Sequence, residues 1–286
     1  MKIFITGATG FIGSALVKKL KLKKWELLCI ARNIEQTKLK TNNNIKFISF
    51  DIYSDKENLF RKYGVPDILI HLAWSGLPNY QENFHIKKNL PNEKKFLFNA
   101  IDSGVKRIIV SGTCFEYGKQ EGCLSEDSKT NPNTKYALAK DLLRKKLIQK
   151  QKKKYFILQW VRLFYIFGTN QNPKSLFPSL RQSINKKEKF FNIAKGKILR
   201  DFLSISEVAK YFVHLCLNPN LNGIINCCSG NPLTIRKFVK KYANKRKSQI
   251  KIKTGKFQKP KFEAQNFWGS TTKMQSLSFK FKNKFF

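Results

Sequence analysis

Tyr136 and Lys140, in the run Tyr136-Ala137-Leu138-Ala139-Lys140, bring a phenol and an ammonium onto one face if the run is helical, because positions i and i+4 lie one above the other. The pair suits proton transfer. A free phenol titrates at about 10, too high for acid–base work at neutral pH unless a neighbouring cation stabilises the phenolate, and the same ammonium can bond a ribose. Near the start of the chain, Thr6-Gly7-Ala8-Thr9-Gly10-Phe11-Ile12-Gly13 sets three glycines on a GxxGxxG spacing. Gly7 permits a tight turn, Gly10 lets backbone approach a pyrophosphate at a helix N-terminus, and Gly13 lets that helix pack closely on a sheet. Thr9, Phe11 and Ile12 complete the predicted cofactor-binding turn. A dinucleotide beside a tyrosine–lysine pair points to hydride transfer with a nicotinamide cofactor.

The end of the second strand separates the two nicotinamide cofactors, since an acidic residue there binds a ribose 2′-hydroxyl and a basic one suits a 2′-phosphate. The segment reads Cys29-Ile30-Ala31-Arg32-Asn33. Arg32, with no Asp beside it, favours NADP(H) and leaves NAD(H) open. Asp51, followed by Ile52, is placed either to reach the adenine or to cap a helix.

These residues need a frame, and β-branched and aromatic runs alternate with helical stretches to supply one. Strands are expected at 2–6, 26–31, 45–50, 68–72, 107–111 and 156–163, each apolar enough for burial on both faces. Helices are expected at 11–20, 56–63, 91–103 and 136–151. The fold class predicted is α/β, a Rossmann-type doubly wound parallel sheet with a smaller C-terminal substrate-binding domain. Residues 1–167 form the dinucleotide-binding domain on this reading. Residues 168–286, where Pro173, Pro178, Pro219, Pro232 and Pro260 break shorter elements, form mainly the second, with some segments returning to the first. Helices there are expected at 176–185, 206–217 and 234–244, the last two opening on Ser206 and Thr234 as N-caps.

The chain has 286 residues with 56 Lys+Arg against 18 Asp+Glu, a net charge of +38. The 42% hydrophobic and 13% aromatic content is enough to offset chain entropy, which excludes global disorder. The excess is mostly Lys, spread from Lys2 to Lys284, the pattern of permissive surface positions filled by composition bias. A dedicated nucleic-acid site would concentrate it on one element. Non-specific binding to polyanions is still expected. The tract Lys150–Lys154 falls at a helix end, where cations complement the macrodipole. Six cysteines lack CxxC or zinc spacing, which argues against metal and disulfides. No apolar run is long enough to span a membrane, so a cytoplasmic location is expected.

The fifth strand leads into Ser111-Gly112-Thr113-Cys114-Phe115-Glu116-Tyr117-Gly118. With the glycine turn and the Tyr136/Lys140 pair, this resembles the extended short-chain dehydrogenase/reductases, the NAD-dependent epimerase/dehydratase family. The resemblance covers nearly the whole chain. It implies that Thr113 binds the reacting oxygen, and that Leu72 and Ala73 after Ile70-His71 and Asn89 at the next helix contact the cofactor. It also implies that Arg200, in Arg200-Asp201-Phe202-Leu203, holds the substrate diphosphate with Asn172 and Ser175 nearby. The same resemblance places Tyr80, Glu116 and Trp268 at the sugar pocket, with packing or surface positions the alternative for each. The stretches at 71–80, 111–118 and 267–269 are similar to bacterial reductases of dTDP-4-keto-6-deoxyhexoses. Family dehydratases carry Asp-Glu where Cys114 and Phe115 stand, and epimerase-reductases carry a cysteine one position later than Cys114, which is expected in the core. Tyr165 replaces an Asn common in family epimerases. The expected enzyme is thus a nucleotide-sugar 4-ketoreductase. The alternatives are a 4-epimerase and, from another class, a non-catalytic RNA-binding relative. The family also implies a homodimer through the helices at 91–103 and 136–151, whose Lys-rich faces could weaken it.

Overall fold

Strand β1 (Lys2–Thr6) divides its side chains between two apolar clusters, Ile3 and Ile5 on one face and Phe4 on the other, as a period of two requires. The computed structural model describes residues 1–35, 41–54, 58–194, 197–257, 262–276 and 279. After β1 come α1 (Phe11–Leu20), β2 (Glu26–Ala31), β3 (Ile45–Ser49), α2 (Leu59–Tyr63), β4 (Ile68–His71) and α3 (Leu90–Asp102). Next are β5 (Arg107–Thr113), β6 (Gly122–Leu124), α4 (Lys135–Gln151), β7 (Ile157–Leu163), β8 (Tyr165–Phe167) and α5 (Leu176–Asn185). Then follow β9 (Phe190–Ala194), β10 (Leu199–Arg200), β11 (Phe202–Ser204), α6 (Ile205–Leu217), β12 (Gly223–Cys227) and β13 (Leu233–Thr234). The last are α7 (Ile235–Lys245), β14 (Lys251–Phe257), β15 (Phe267–Gly269) and α8 (Thr272–Gln275).

The main sheet has seven strands in the order β12-β7-β5-β4-β1-β2-β3, all paired in parallel. Helices α1 and α6 cover one face through Leu16, Val17, Val208 and Phe212. Helices α2, α3 and α4 cover the other through Phe60, Leu97, Leu143 and Leu147. The strand order reverses between β1 and β4, and the crevice at such a switch point is where α/β sheets bind ligands. A separate core of Phe167, Phe177, Phe202, Phe238 and Tyr242 joins α5, α7, β8 and β11, while α6 and β12 return to the first sheet.

Several boundaries differ from expectation, four of them for reasons the structure shows. Strand β5 runs two residues past Ser111 because its pairing with β7 continues through Gly112↔Arg162 and Thr113↔Leu163. Helix α6 is capped by Ser204, whose Oγ accepts from the Glu207 amide at 3.3 Å, not by Ser206: the Ser-x-x-Glu spacing favours the earlier serine. Helix α3 is preceded by a π-type turn, His85–Asn89, and carries Pro91 in its first turn, where a missing N–H costs nothing. Helix α2 begins at Leu59 on an Asn58 cap, and the expected start at Lys56 lies outside the described residues. At the end of α4, Lys150 and Lys154 pair with Asp102 at 2.7 and 3.6 Å. Among the described residues no helix is long and apolar enough to cross a membrane.

Candidate active site

The turn after β1 leaves backbone donors at a helix N-terminus, which could hold an anion. Gly7 sits at φ 68°, and a Cβ there would stand 2.9 Å from the Ala73 amide, so glycine lets β1 close on the end of β4. Gly10 caps α1 with extended backbone and no side-chain acceptor, which leaves the first helical N–H groups facing outward. A Cβ on Gly13 would meet the Gly7 carbonyl at 2.2 Å, so this glycine serves helix–turn packing, and Phe11 and Ile12 pack against the core beside it.

A cleft of about 1110 Å³ opens over this turn. It is lined by Gly7, Thr9 and Gly10 after β1, Lys18 of α1, Arg32 after β2, Asp51 and Ile52 after β3, and Leu72, Ala73, Trp74 and Ser75 after β4. Backbone donors after β1 and a cation after β2 fit a dinucleotide laid across the C-terminal edges of β1, β2 and β4. Arg32 is exposed, and its carbonyl accepts from Ser49 Oγ at 2.8 Å. Asp51 spends one carboxylate oxygen on the Tyr53 amide, 3.1 Å away.

Thr113, Tyr136 and Lys140 come together beside this cleft. Thr113 ends β5, its hydroxyl accepting from the Phe115 amide at 3.3 Å and favouring ionisation of the nearby Tyr136 phenol. Tyr136 lies in the first turn of α4, capped by Thr134, and its amide donates to the Tyr80 carbonyl at 3.0 Å. Lys140 Nζ donates to the Ser111 carbonyl at 2.9 Å and stands 4.0 Å over the Trp74 ring. Burial pushes the Tyr136 phenol far above its ordinary value, with the neighbouring Tyr80 and Glu116 adding to it. Burial also pushes the Lys140 ammonium down to about 8, against the pull of Glu93 and Glu116. In contrast to the expectation that Lys140 brings the phenol down, burial dominates and the phenol holds its proton.

Other expected residues take different places. Asn89 is enclosed and bonded to Ser75 and His85, facing them and not the open cleft. Tyr80 packs against Tyr136 with ring centroids 5.7 Å apart, and burial raises its phenol to about 12. Asn172 Oδ1 accepts from the Lys174 amide at 2.9 Å, and Ser175 precedes α5 without a side-chain cap bond. Arg200 is 2% exposed and bonds Glu263 at 2.5 Å and the carbonyls of Leu199, Ala264 and Gln265, so its charge is neutralised within the chain. Phe262, beside Glu263, closes on Tyr80 and Phe115 at 5.7 Å each.

Glu116 does not line a sugar pocket. It is fully buried and accepts from the Thr113 amide, Trp160 Nε1 and Arg162 Nε, each at 2.9 Å. The sequence showed neither β7 partner. Trp268 is a β15 residue opposite Cys123 of β6, and Cys114 lies in the core with Tyr117 and Phe267. The sequence reading also missed Trp74 and His85, described below, and a buried relay in which Glu93 bonds both His71 Nε2 and the Tyr53 hydroxyl. The one available signal was the aromatic–serine insertion Trp74-Ser75 after His71-Leu72-Ala73.

Residues 3–228 match the model of the NAD dependent epimerase/dehydratase family. The chain is 28% identical over 272 residues to a dTDP-6-deoxy-L-talose 4-dehydrogenase (NAD(+)) of Aggregatibacter actinomycetemcomitans, covering 94% of this chain and 100% of that one. It is 28% identical over 236 residues to a GDP-6-deoxy-D-talose 4-dehydrogenase of the same organism, covering 80% and 75%. The structure is similar to the UDP-glucuronic acid 4-epimerase of Bacillus cereus in complex with NAD, with a TM-score of 0.82 at 22% identity over 96% of this chain and 92% of that one. That likeness concerns the fold.

Proposed function

The chain belongs to the NAD-dependent epimerase/dehydratase family, and from that premise we propose that it reduces the 4-keto group of a nucleotide-activated 6-deoxy sugar, dTDP-linked, with NADPH as hydride donor. It is an NAD(P)-dependent enzyme of nucleotide-sugar chemistry. The observation that carries the finer reading is Tyr136 and Lys140 one helical turn apart on α4, with Thr113 at the end of β5 beside the phenol. Two relatives bear 4-dehydrogenase names, and a dehydrogenase and a ketoreductase are the two directions of one hydride transfer.

The glycine turn would hold the pyrophosphate and Lys140 the nicotinamide ribose; when bound, the reduced nicotinamide supplies a hydride. Thr113 polarises the C4 oxygen, and Tyr136 gives its proton to the alkoxide as it forms. A proton returns to the phenolate from solvent through neighbouring groups, with the Lys140 ammonium stabilising the phenolate meanwhile. One ketone and one proton are consumed with one hydride, and a secondary alcohol results. Arg32 and Lys18, both lining the cleft, favour a 2′-phosphate. The 4-dehydrogenase relative that is named with NAD(+) makes this preference a property to test in this chain. On the substrate side, the diphosphate competes with Glu263 for Arg200, with Asn172 and Ser175 at the mouth of the same region.

The test measures net loss of reduced nicotinamide absorbance with dTDP-4-keto-6-deoxyglucose, once with NADPH and once with NADH. The proposal expects one cofactor oxidised per sugar and faster turnover with NADPH. Sugar epimerised at C4 without net oxidation would replace it with a 4-epimerase.

A further inference from the structure

Trp74 leaves the end of β4 three residues after His71 and lines the cleft. Its indole lies between the two ionisable members of the site: Lys140 Nζ stands 4.0 Å over the ring, and the Tyr136 ring meets it edge-on at 5.7 Å. The indole is itself tied down, because Trp74 Nε1 donates to His85 Nδ1 at 3.1 Å. His85 Nε2 lies 3.0 Å from the Asn79 carbonyl, which can only accept, so the proton sits on Nε2 and Nδ1 is the acceptor. Asn89 Nδ2 lies 3.3 Å from the same Nδ1 and 2.9 Å from the Ser75 carbonyl. The circuit closes through Tyr80, whose carbonyl receives the Tyr136 amide. The loop from Trp74 to Tyr80 is therefore bonded at both ends to the residues that do the chemistry.

We propose that Trp74 is a positioning residue for Lys140, held in place by His85, so that the indole face substitutes for water around the ammonium; this rests on the reading that Lys140 holds the cofactor ribose. Lys140 is 1% exposed, and a cation over an aromatic face gains most when both are desolvated. The groups facing the ammonium are the Ser111 carbonyl from β5, Glu93 from α3, Glu116 from the turn after β5, the His85 ring and, on its own helix, Tyr136. The carboxylates favour the charge, whereas burial opposes it and wins. Loss of the indole face removes a favourable partner and lets burial win by more. His85 must stay neutral to accept the indole N–H, and burial and the nearby Lys140 do hold its pKa down.

The test is the pH dependence of NADPH binding, read from nicotinamide fluorescence with no sugar present, between about pH 6 and about pH 10. Wild-type binding is expected to weaken through about 8 as the ammonium is lost, and Lys140→Met to show no such step. Trp74→Leu moves the step down by about one pH unit, a tenfold change in the protonation equilibrium, and Trp74→Phe, which keeps a ring face but loses the N–H bond to His85, moves it in the same direction by less. His85→Phe keeps the ring volume but removes the acceptor, and moves the step in the same direction even where Trp74→Leu does not fold. A Trp74→Leu or His85→Phe step at the wild-type position overturns the inference, as does a wild-type step that survives in Lys140→Met. Because no sugar is needed, a wrong sugar assignment would appear as absent turnover with the binding step intact.

Discussion

Glu116→Gln removes one charge and almost no volume from the centre of the site. Glu116 and Arg162 are both fully buried, with Arg162 Nε 2.9 Å from Oε2, and Arg144 Nε lies 3.5 Å from the same oxygen. A glutamine oxygen can still accept from Trp160 and the Thr113 amide, but its NH₂ then faces Arg162, whose charge loses its carboxylate. Burial opposes that guanidinium charge, and Glu116 with Tyr117 more than restores it. Breaking a buried pair on one side costs about 3–5 kcal/mol. At roughly 2–4 °C per kcal/mol for a domain of this size, Tm should fall by about 10 °C. Thermal unfolding followed by circular dichroism at neutral pH reads this directly. The double variant with Arg162→Met should recover much of the loss, because the uncompensated charge is then gone. A fall under about 2 °C, or a double variant that simply adds the two losses, would refute the buried-pair argument.

Three further outcomes follow from the site. Gly13→Ala drives a Cβ to 2.2 Å from the Gly7 carbonyl and 2.7 Å from Ala8 Cα, both backbone; overpacking of about 1–3 kcal/mol should lower Tm and weaken NADPH binding measured by fluorescence titration. Arg32→Ala should raise KM for NADPH by about ten- to a hundredfold, the worth of one charge-assisted phosphate contact, and leave KM for NADH within about twofold; equal effects on both would remove Arg32 from phosphate recognition. In wild type, kcat should be flat below about 8, where Lys140 is an ammonium, and fall as pH rises through that value, because the Tyr136 phenol keeps its proton far beyond it. A rise in kcat over the same range would show that the amine form is the active one.

The glycine turn and the Tyr136/Lys140 pair were legible because their geometry is local: the turn is one strand-to-helix junction, and four residues on α4 set the pair. The parallel sheet was legible for the same reason, strand by strand. Thr113 could be reached only through the resemblance, since nothing local says that β5 pairs with β7 far enough to deliver it. Sequence left Glu116 between sugar pocket and packing because the partners that decide for packing, Trp160 and Arg162, are 44 and 46 residues away on β7. Arg200 looks like a free cation in sequence, and the Glu263 that neutralises it is 63 residues downstream. Trp74 lies within the stretch at 71–80 that carries the closer resemblance, but only the assembled α4 shows that its face meets Lys140. Long-range burial of charge, more than secondary structure, is what the one-dimensional pattern concealed.

The central claim is hydride delivery to C4 with Tyr136 as proton donor. NADPH deuterated at its transferable position, incubated with dTDP-4-keto-6-deoxyglucose, tests it by mass spectrometry and NMR of the product. The account predicts one deuterium at C4 of a 6-deoxyhexose for wild type, and for Tyr136→Phe a rate lower by about 10²–10⁴ with NADPH binding retained. Product without deuterium at C4, or undiminished transfer in Tyr136→Phe, would contradict it.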